Sequence, residues 1–411
     1  MSKGRWGLLA IWVLAAPAAA QLNLPVPMPS LPLGPVAQTL DHLEPDALDR
    51  RIDLRHLQIR RLIREHSRRI EADPAGEPIV RDEVLASFPT EDALARALAL
   101  GFVVESEQAL PSLELRIVVL RVPANHSTRG ALRALRAAVP EATLDYDHIY
   151  MRGGESSTAA PAIAPPMPPT TGAPPHPRVR IGLVDSGVDA TQPTFRDSIV
   201  HPWGCGGEMR PSAHGTAVAS LLVRRANADL YAADVYCGRP TGGSVDAIVT
   251  ALAWLVQNHV PVINISLVGP KNLLLARVVA ALIARGYVIV AAVGNDGPAA
   301  PPLYPAAYPH VIGVTAVDAD RRVLLEAERG PQVTFAAQGA DLEAANLRQG
   351  SSAVRGTSFA APTVAALFAA RMSAPDPAAA GAALAALIHQ AVDLGSPGWD
   401  PIYGYGLLGA K

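Results

Sequence analysis

The sequence predicts an α/β protein: a doubly wound, mostly parallel sheet in the main domain, preceded by a small α+β domain. Three observations lead to this prediction. From residue 178 to 411, short apolar segments of strand length alternate with helical segments, which is typical of a parallel sheet covered by helices on both faces. Residues 78–155 show strand, helix, strand, helix and strand in a much shorter span. A Pro/Ala-rich segment at 156–177 separates the two regions and indicates a solvated linker.

The bulk composition narrows the class of protein. A chain of 411 residues has room for two or three domains, one of them with a sizeable core. A net charge of −2 and an aromatic content of 5% give no indication of a nucleic-acid partner or of an anionic membrane surface. The 49% hydrophobic content, mainly Ala, Val and Leu, fits a globular enzyme.

Residues 1–20 have the pattern of a secretory signal peptide. Lys3 and Arg5 precede an apolar run that ends at Ala16, and small residues then offer a cleavage site before Gln21. Because this run is too short to span a bilayer, we expect export to the periplasm or the medium, with no membrane anchor after cleavage. An uncleaved N-terminal anchor is the alternative.

Residues 21–77 combine a proline-punctuated, extended segment with an amphipathic helix over 40–70. Leu54, Leu57, Leu62 and Ile63 are its predicted apolar residues. The many arginines are interspersed with acids, so we interpret them as a solvated face and not as a basic binding surface.

The α+β domain is predicted element by element. A strand at 84–88 leads to a helix capped by Thr90, and the alternating apolar residues of 113–119 indicate a second strand. Ser127 or Thr128 opens a second helix, and a final strand runs through Leu144 and Tyr146. These elements predict one sheet with two helices on one side.

Three polar residues of the main domain occupy positions where a parallel sheet places its ligands, at the carboxyl ends of strands. Asp185 ends an apolar strand, His214 precedes a helix, and Ser358 heads the helix that begins in "RGTSFAAP". A carboxylate, an imidazole and a hydroxyl are what nucleophilic acyl transfer needs. At a helix N-terminus the hydroxyl of Ser358 lies among backbone N–H donors. Gly356 would permit another segment of the backbone to approach closely. We expect Pro362 in the first turn of the helix.

Six blocks, in order, resemble the signature blocks of the subtilisin-like serine peptidases: "IGLVDSGVD", "HGTAVAS", "VINISLVGP", "AAVGNDG", "YPAAYPHVIGVTAVD" and "GTSFAAPTVAA". The resemblance covers about 178–411. It implies that Asp185, His214 and Ser358 form a catalytic triad, and that Asn295 donates a hydrogen bond to the substrate oxyanion.

The same resemblance implies a substrate-binding strip at Ser266, Leu267, Val268 and Gly269. Many relatives have glycine at the position of Val268. This side chain would either narrow the cleft or point away from it, and the sequence leaves both possibilities open.

The domain at 78–155 resembles the inhibitory, fold-assisting propeptide of that family, particularly at "DYDHIYMRGG". We expect its last strand to lead into the cleft and to be cut between about residue 150 and the linker. An uncut regulatory domain is the alternative.

Cys205 and Cys237 are the two cysteines, and an exported chain favours a disulfide between them. Free thiols, or a metal site that adds His201 or His214, are the alternatives. No cofactor or required metal is predicted; structural calcium is possible but is not indicated.

Together these observations predict an exported serine endopeptidase that acts on polypeptides as a monomer and is made as a zymogen inhibited by its own N-terminal domain. The alternatives are a catalytically silent peptide-binding or regulatory protein on the same fold, and an esterase or transacylase.

Overall fold

The computed structural model describes residues 45–152, 178–224, 228–348 and 350–409. The predicted signal peptide, the extended segment and the linker at 156–177 lie outside these residues. Residues Pro45–Lys411 form one compact unit. In the described part of the chain, no helix combines the length and the apolar character needed to cross a bilayer.

Residues 45–152, called the N-terminal domain below, combine helices with an antiparallel sheet of five strands, in which β2 pairs with β1, β4 and β5 and β3 pairs with β4. The elements are α1 (Pro45–Glu65), β1 (Ile70–Ala72), β2 (Pro78–Ser87), α2 (Glu91–Ala99), β3 (Val103–Leu110), β4 (Leu115–Arg121), α3 (Thr128–Ala138), β5 (Thr143–His148) and the short β6 (Met151–Arg152).

Both predicted helix caps are confirmed. The Thr90 hydroxyl accepts the N–H of Ala93 at 3.2 Å, and the Ser127 hydroxyl accepts that of Gly130 at 3.2 Å. The sheet begins earlier than predicted, at Ile70 instead of 84, and the sequence interpretation missed β1 and β3. Most residues of β3 are exposed, so this strand carries little apolar pattern.

The apolar face predicted for α1 is correct at Leu62 and Ile63, which pack against Ile70, Val80 and Ile149, and wrong at the other two residues. Leu54 and Leu57 are 55% and 52% exposed, whereas Ile59 and the guanidinium-bearing Arg55 are buried. The helix also ends at Glu65 and not near 70. Arg55 is buried because its charge is paired, as described below, and ion pairing across elements leaves no periodic signal in a sequence.

Residues 178–409, called the C-terminal domain, contain an eight-stranded sheet in the order β17-β14-β13-β12-β10-β7-β9-β8, with every pair parallel. The elements are β7 (Val179–Asp185), β8 (Ile199–Trp203), α4 (Ala213–Val223), β9 (Ala228–Asp234), α5 (Val245–Gln257), β10 (Val262–Ile265), β11 (Leu267–Val268), α6 (Leu273–Ala284), β12 (Val288–Ala292), β13 (Ile312–Val317), β14 (Phe335–Gln338), β15 (Leu342–Ala345), β16 (Ser351–Val354), α7 (Thr357–Ala369), α8 (Pro377–Gln390) and β17 (Leu407–Leu408). The predicted fold class is confirmed.

Helices cover both faces of the parallel sheet. On one face α4, α7 and α8 share a core with the strands, and α7 is buried on nearly all sides. On the other face α5 and α6 share a second core with the strands and with the N-terminal sheet. The N-terminal sheet is therefore buried on both faces. Val118 and Leu120 pack on α2 and α3, whereas Ile117 and Val119 belong to the core of α5 and α6.

Two acids of β5 bind the N-termini of the two helices beneath them. An Asp145 carboxylate oxygen accepts the N–H of Leu273 at 2.8 Å, and an Asp147 oxygen accepts that of Asp246 at 3.0 Å. These backbone N–H groups have no partner within their own helices, and the positive ends of the helix dipoles favour an anion there. The N-terminal domain is thus tied to α5 and α6 by polar contacts in addition to the shared apolar core.

Several carboxylates meet at this interface. Burial, followed by the charges of Glu105 and Asp246, raises the pKa of Glu83 to about 7. Burial also raises the pKa of Asp147 well above its ordinary value, with Asp246 and Glu83 as further causes, and burial and Glu105 raise that of Asp246. Arg121, which pairs with Glu105, opposes the shift at Glu83. The interface therefore favours the neutral form of Glu83, Asp147 and Asp246, and a neutral Asp147 still accepts the helix N–H because its carbonyl oxygen remains an acceptor.

We predict that Glu83 stabilises the folded chain in acid and that this contribution is lost as the pH rises through about 7. An acid whose pKa is raised in the folded state contributes stability below its unfolded value, near 4, and loses that contribution as it ionises in the folded protein. The melting temperature of a Ser358→Ala variant, which cannot cleave itself by the predicted chemistry, should fall between about pH 5 and pH 8.

Glu83→Gln in the Ser358→Ala background should make this fall in melting temperature smaller by about 5 °C. Asp197→Asn, which changes an exposed acid before β8, is the matched control and should keep the parent slope. An identical pH dependence in Glu83→Gln and its parent would contradict the assignment.

Candidate active site

An aspartate and a histidine are in direct contact at the end of the sheet. Asp185 is the last residue of β7 and is fully buried; His214 is the second residue of α4 and is also buried. The Nδ1 atom of His214 lies 2.9 Å from Oδ1 of Asp185. Oδ1 also accepts the backbone N–H and the hydroxyl of Ser186, at 2.6 and 2.9 Å. The carboxylate is therefore fixed, and it in turn fixes the plane and tautomer of the imidazole.

The helix that carries His214 reaches this position because Gly215 follows it. A Cβ atom at Gly215 would lie 2.0 Å from the carbonyl oxygen of Ser186, so only glycine permits this approach. The N–H of Gly215 also donates to the Ser186 hydroxyl at 3.2 Å. Nε2 of His214 is buried and has no hydrogen-bond partner among the residues that the structure describes.

Ser358 is the second residue of α7 and is fully buried. Its neighbour Phe359 places a ring 5.4 Å from the imidazole of His214, measured between ring centroids. Gly356 precedes the helix with a φ of 137°, a region open to glycine, and its N–H donates to Gly339 at 2.9 Å. Another backbone segment does approach the start of the helix, and its close approach depends on Gly339, where a Cβ atom would lie 2.7 Å from the carbonyl oxygen of Gly356.

Ser266 and Ser358 are joined by two hydrogen bonds. The Ser266 hydroxyl donates to the carbonyl oxygen of Ser358 at 3.1 Å, and the Ser358 hydroxyl donates to the carbonyl oxygen of Ser266 at 3.4 Å. Asn264 donates to the Ser266 hydroxyl at 2.9 Å and fixes it. The sequence interpretation assigned Ser266 only to substrate binding and did not find Asn264. Hydrogen bonds between distant segments leave no local pattern.

The expected position of Pro362 is wrong. The helix begins at Thr357, so Pro362 is its sixth residue and falls in the second turn. There a missing N–H deprives the carbonyl four residues earlier, that of Ser358, of its helical partner. The hydroxyl of Ser266 supplies the donor instead. The proline thus leaves a carbonyl available for the cross-link between α7 and the segment at Ser266.

Asn295 follows β12 and contacts the same end of α7. Its side-chain oxygen accepts the N–H of Thr357 at 3.0 Å, and the Thr357 hydroxyl accepts the N–H of Gly294 at 3.3 Å. The first contact directs the amide oxygen towards α7 and therefore the amide nitrogen away from it. The oxyanion-binding role of Asn295 stays a prediction.

Acidic groups that the sequence interpretation did not find surround Asn295. Glu328 is fully buried against Gly294, and burial, followed by the charge of Asp296, raises its pKa to about 9. Burial likewise raises the pKa of Asp296. Arg55 of α1 lies 3.4 Å from Asp296 and 2.9 Å from Glu77. The helix that precedes the N-terminal sheet therefore reaches the segment next to Asn295 through one buried guanidinium.

The predicted substrate strip, Ser266–Gly269, is already paired with the chain's own backbone. β6 runs antiparallel to β11, with Met151 opposite Val268 and Arg152 opposite Leu267. Val268 is buried, and its side chain does not prevent an extended strand from pairing with β11. The last strand of the N-terminal domain is predicted to lead into the cleft, and the pairing of β6 with β11 agrees with this prediction.

The predicted disulfide between Cys205 and Cys237 is present and connects the segments that follow β8 and β9, with a Cα–Cα distance of 5.2 Å. Neither free thiols nor a cysteine–histidine metal site is formed by these residues. The N–H of Val235, two residues before Cys237, donates to the carbonyl of Asp185 at 2.9 Å, so the bridge braces a segment that contacts the buried aspartate.

The chain is similar to known proteins in sequence and in structure. The model of the Subtilase family matches residues 177–406. The minor extracellular protease Epr of Bacillus subtilis (strain 168) is 29% identical over 251 residues, which cover 57% of this chain and 38% of that protein. Subtilisin E of the same organism is 30% identical over 209 residues, which cover 46% of this chain and 53% of that protein. The chain thus spans about half or less of these curated relatives.

Among solved structures, fervidolysin from Fervidobacterium pennivorans, described as a keratinolytic enzyme related to subtilisin, has a TM-score of 0.66 at 18% identity. The match covers 82% of this chain and 61% of that chain. Because this coverage exceeds the share of the chain that follows residue 177, the likeness of fold extends into earlier residues.

We predict that Ser266→Ala lowers the free energy of unfolding by about 1–3 kcal/mol, because the carbonyl of residue 358 loses its buried donor. Adding Pro362→Ala to the Ser266→Ala chain should restore about 1 kcal/mol of the lost free energy of unfolding, because residue 362 then has an N–H that can donate to that carbonyl. Urea unfolding in the Ser358→Ala background, which keeps the carbonyl, measures both effects.

Pro377→Ala is the matched control for this rescue. Pro377 is the first residue of α8, where an added N–H has no helical acceptor, so it should rescue nothing. Equal rescue by the two proline variants would show that the carbonyl of residue 358 is not the group at issue.

Proposed function

The chain belongs to the subtilase family, and from this membership we propose that it is an exported serine endopeptidase made as a zymogen inhibited by its own N-terminal domain. The observation that carries the proposal is the buried contact between Asp185 and His214, at the same end of the sheet as the hydroxyl of Ser358. Polypeptides are the proposed substrates. The name of each relative describes that relative, and none of the names specifies a substrate for this chain.

In the proposed reaction, Nε2 of His214 accepts the proton of the Ser358 hydroxyl as the oxygen attacks the carbonyl carbon of a peptide bond. Asp185, on Nδ1, stabilises the imidazolium that forms. The oxyanion of the tetrahedral intermediate accepts hydrogen bonds from the amide nitrogen of Asn295 and from the N–H of Ser358. His214 then protonates the leaving amine, and water hydrolyses the acyl-enzyme by the same proton transfers in reverse.

The position of the last strand of the N-terminal domain supports the proposed inhibition. A backbone paired with β11 occupies the edge that a substrate backbone would use. The shared core with α5 and α6 and the two helix caps of Asp145 and Asp147 hold it there. We propose that the chain cuts itself between about residue 150 and the linker, where the sequence Gly153-Gly154-Glu155 follows β6.

Export rests on the sequence alone. The charged start, the short apolar run and the small residues before Gln21 have the order that signal peptidases use. We propose that the active protein works outside the cytosol, in the periplasm or in the medium, where the disulfide between Cys205 and Cys237 is stable.

We predict that a fluorophosphonate probe labels the wild-type protein at Ser358, because an activated hydroxyl beside oxyanion donors reacts with such reagents. Ser358→Ala should remain unlabelled, and His214→Ala should label about 10³-fold or more slowly. Ser198→Ala, which changes a serine before β8, is the matched control and should label as the wild type does. Gel fluorescence and peptide mapping provide the readout.

A folded protein that is not labelled, even after the linker has been cut by an added protease, would instead support the catalytically silent, peptide-binding alternative. Circular dichroism and melting of the same samples exclude misfolding as the cause.

A further inference from the structure

Tyr150, the residue before β6, is held in a slot of the C-terminal domain. It is fully buried. Its N–H donates to the carbonyl of Gly243 at 2.8 Å, and its own carbonyl accepts the hydroxyl of Tyr236 at 2.9 Å. Residue 150 is thus positioned through its backbone as well as through its side chain, as a residue of a bound peptide would be.

The end of the slot is polar and matches a phenol. The Tyr150 hydroxyl donates to the carbonyl of Pro270 at 2.6 Å and lies 3.4 Å from the hydroxyl of Tyr308. Tyr308 is fixed by Asn272, to whose carbonyl it donates at 2.9 Å and from whose N–H it accepts at 3.0 Å. Burial raises the pKa of Tyr150 well above its ordinary value, so the phenol remains an O–H donor.

The sides of the slot require glycine. A Cβ atom on Gly269 would lie 2.7 Å from the Tyr150 ring, and its three nearest atoms all belong to that ring. A Cβ atom on Gly243 would lie 2.4 Å from the carbonyl oxygen of Tyr150. Gly269 exchanges two backbone hydrogen bonds with Tyr304, whose ring packs on that of Tyr308 at 4.5 Å. These contacts all come from the C-terminal domain and remain when the N-terminal domain leaves.

The strand register places the slot relative to the nucleophile. Met151 lies opposite Val268 and Arg152 opposite Leu267. One further step along the partner strand is Ser266, whose carbonyl accepts the Ser358 hydroxyl at 3.4 Å. In an extended peptide with this register, the residue that reaches Ser358 is therefore the third residue after the one in the slot.

We propose that this slot is a tyrosine-selective substrate subsite, which Tyr150 fills as the chain's own pseudo-substrate, so that the enzyme cuts polypeptides with tyrosine three positions before the residue whose carbonyl is attacked. The proposal rests on the proposed function. Phenylalanine fits the same slot but desolvates the Pro270 carbonyl without supplying a donor, and a site built to bind a hydroxyl discriminates strongly against such an analogue.

The first test uses the processed wild-type enzyme and fluorogenic peptides containing Tyr-Met-Arg-Gly-Gly-Glu, the chain's sequence at 150–155. Replacing the tyrosine by phenylalanine should lower kcat/KM about tenfold, and replacing it by alanine about 100-fold or more. Mass spectrometry of the products locates the cut relative to the tyrosine. This test needs no enzyme variant, so it decides the proposal even where a variant fails to fold.

The second test narrows the slot from the enzyme's side. Gly269→Ala should lower the ratio of kcat/KM for the tyrosine peptide over the alanine peptide at least about tenfold, because the added methyl occupies space that the ring needs. Gly381→Ala is the matched control: it adds the same methyl on α8, where nothing lies within 4 Å, and should keep the wild-type ratio.

The outcomes separate the two levels of the account. Hydrolysis without preference for tyrosine over phenylalanine and alanine would overturn the subsite and leave the peptidase standing. No hydrolysis of any peptide by folded, processed protein would overturn the proposed function itself.

Discussion

The pair of hydrogen bonds between Ser266 and Ser358 is the constraint on which the rest of the site depends. It exists because Pro362 cannot supply the helical N–H that the Ser358 carbonyl lacks. Ser266 is also the residue at which the strand breaks between β10 and β11. One residue therefore fixes the start of α7 and begins the segment on which an extended chain docks. Ser358 and the docking strip are thus joined at one residue, and under the proposed function a peptide paired with β11 would be delivered to the Ser358 hydroxyl.

The N-terminal domain is adapted to the same edge. Its sheet buries a second face on α5 and α6, which an independent domain would leave exposed. Asp145 and Asp147 complete the N-termini of those helices. A parallel sheet must close long-range contacts before they stabilise it, and a preformed surface that binds two of its helices would lower that barrier. Inhibition and assistance in folding would then share one set of contacts, as the resemblance to family propeptides implies.

The parts that the sequence predicted are those whose cause is local or periodic. Asp185 and His214 were found because strand ends and helix starts can be identified from apolar periodicity, and parallel strands bring their carboxyl ends to one edge. Ser358 was found in the same way, at the head of a helix, and the ordered motifs then supported grouping the three residues. The position of Pro362 was wrong because helix starts are uncertain by one or two residues, and here that shift moves the proline from the first turn to the second.

The features that the sequence did not predict arise from contacts between distant segments. Arg55 is buried because two acids from elsewhere pair with it, and Glu83 is perturbed because another domain covers it; composition alone indicates solvent exposure for both. Tyr150 was recognised only as part of an exit strand, since its slot is assembled from residues 236 to 308.

The central claim is that the backbone docked on β11 is presented to Ser358 for cleavage. Intact-mass measurement of the freshly purified full chain tests this claim most directly. The wild type should be cut within the few residues after Arg152, and Ser358→Ala should not be cut. A wild-type chain that remains joined through residues 150–177, or a cut there in both proteins, would contradict the claim.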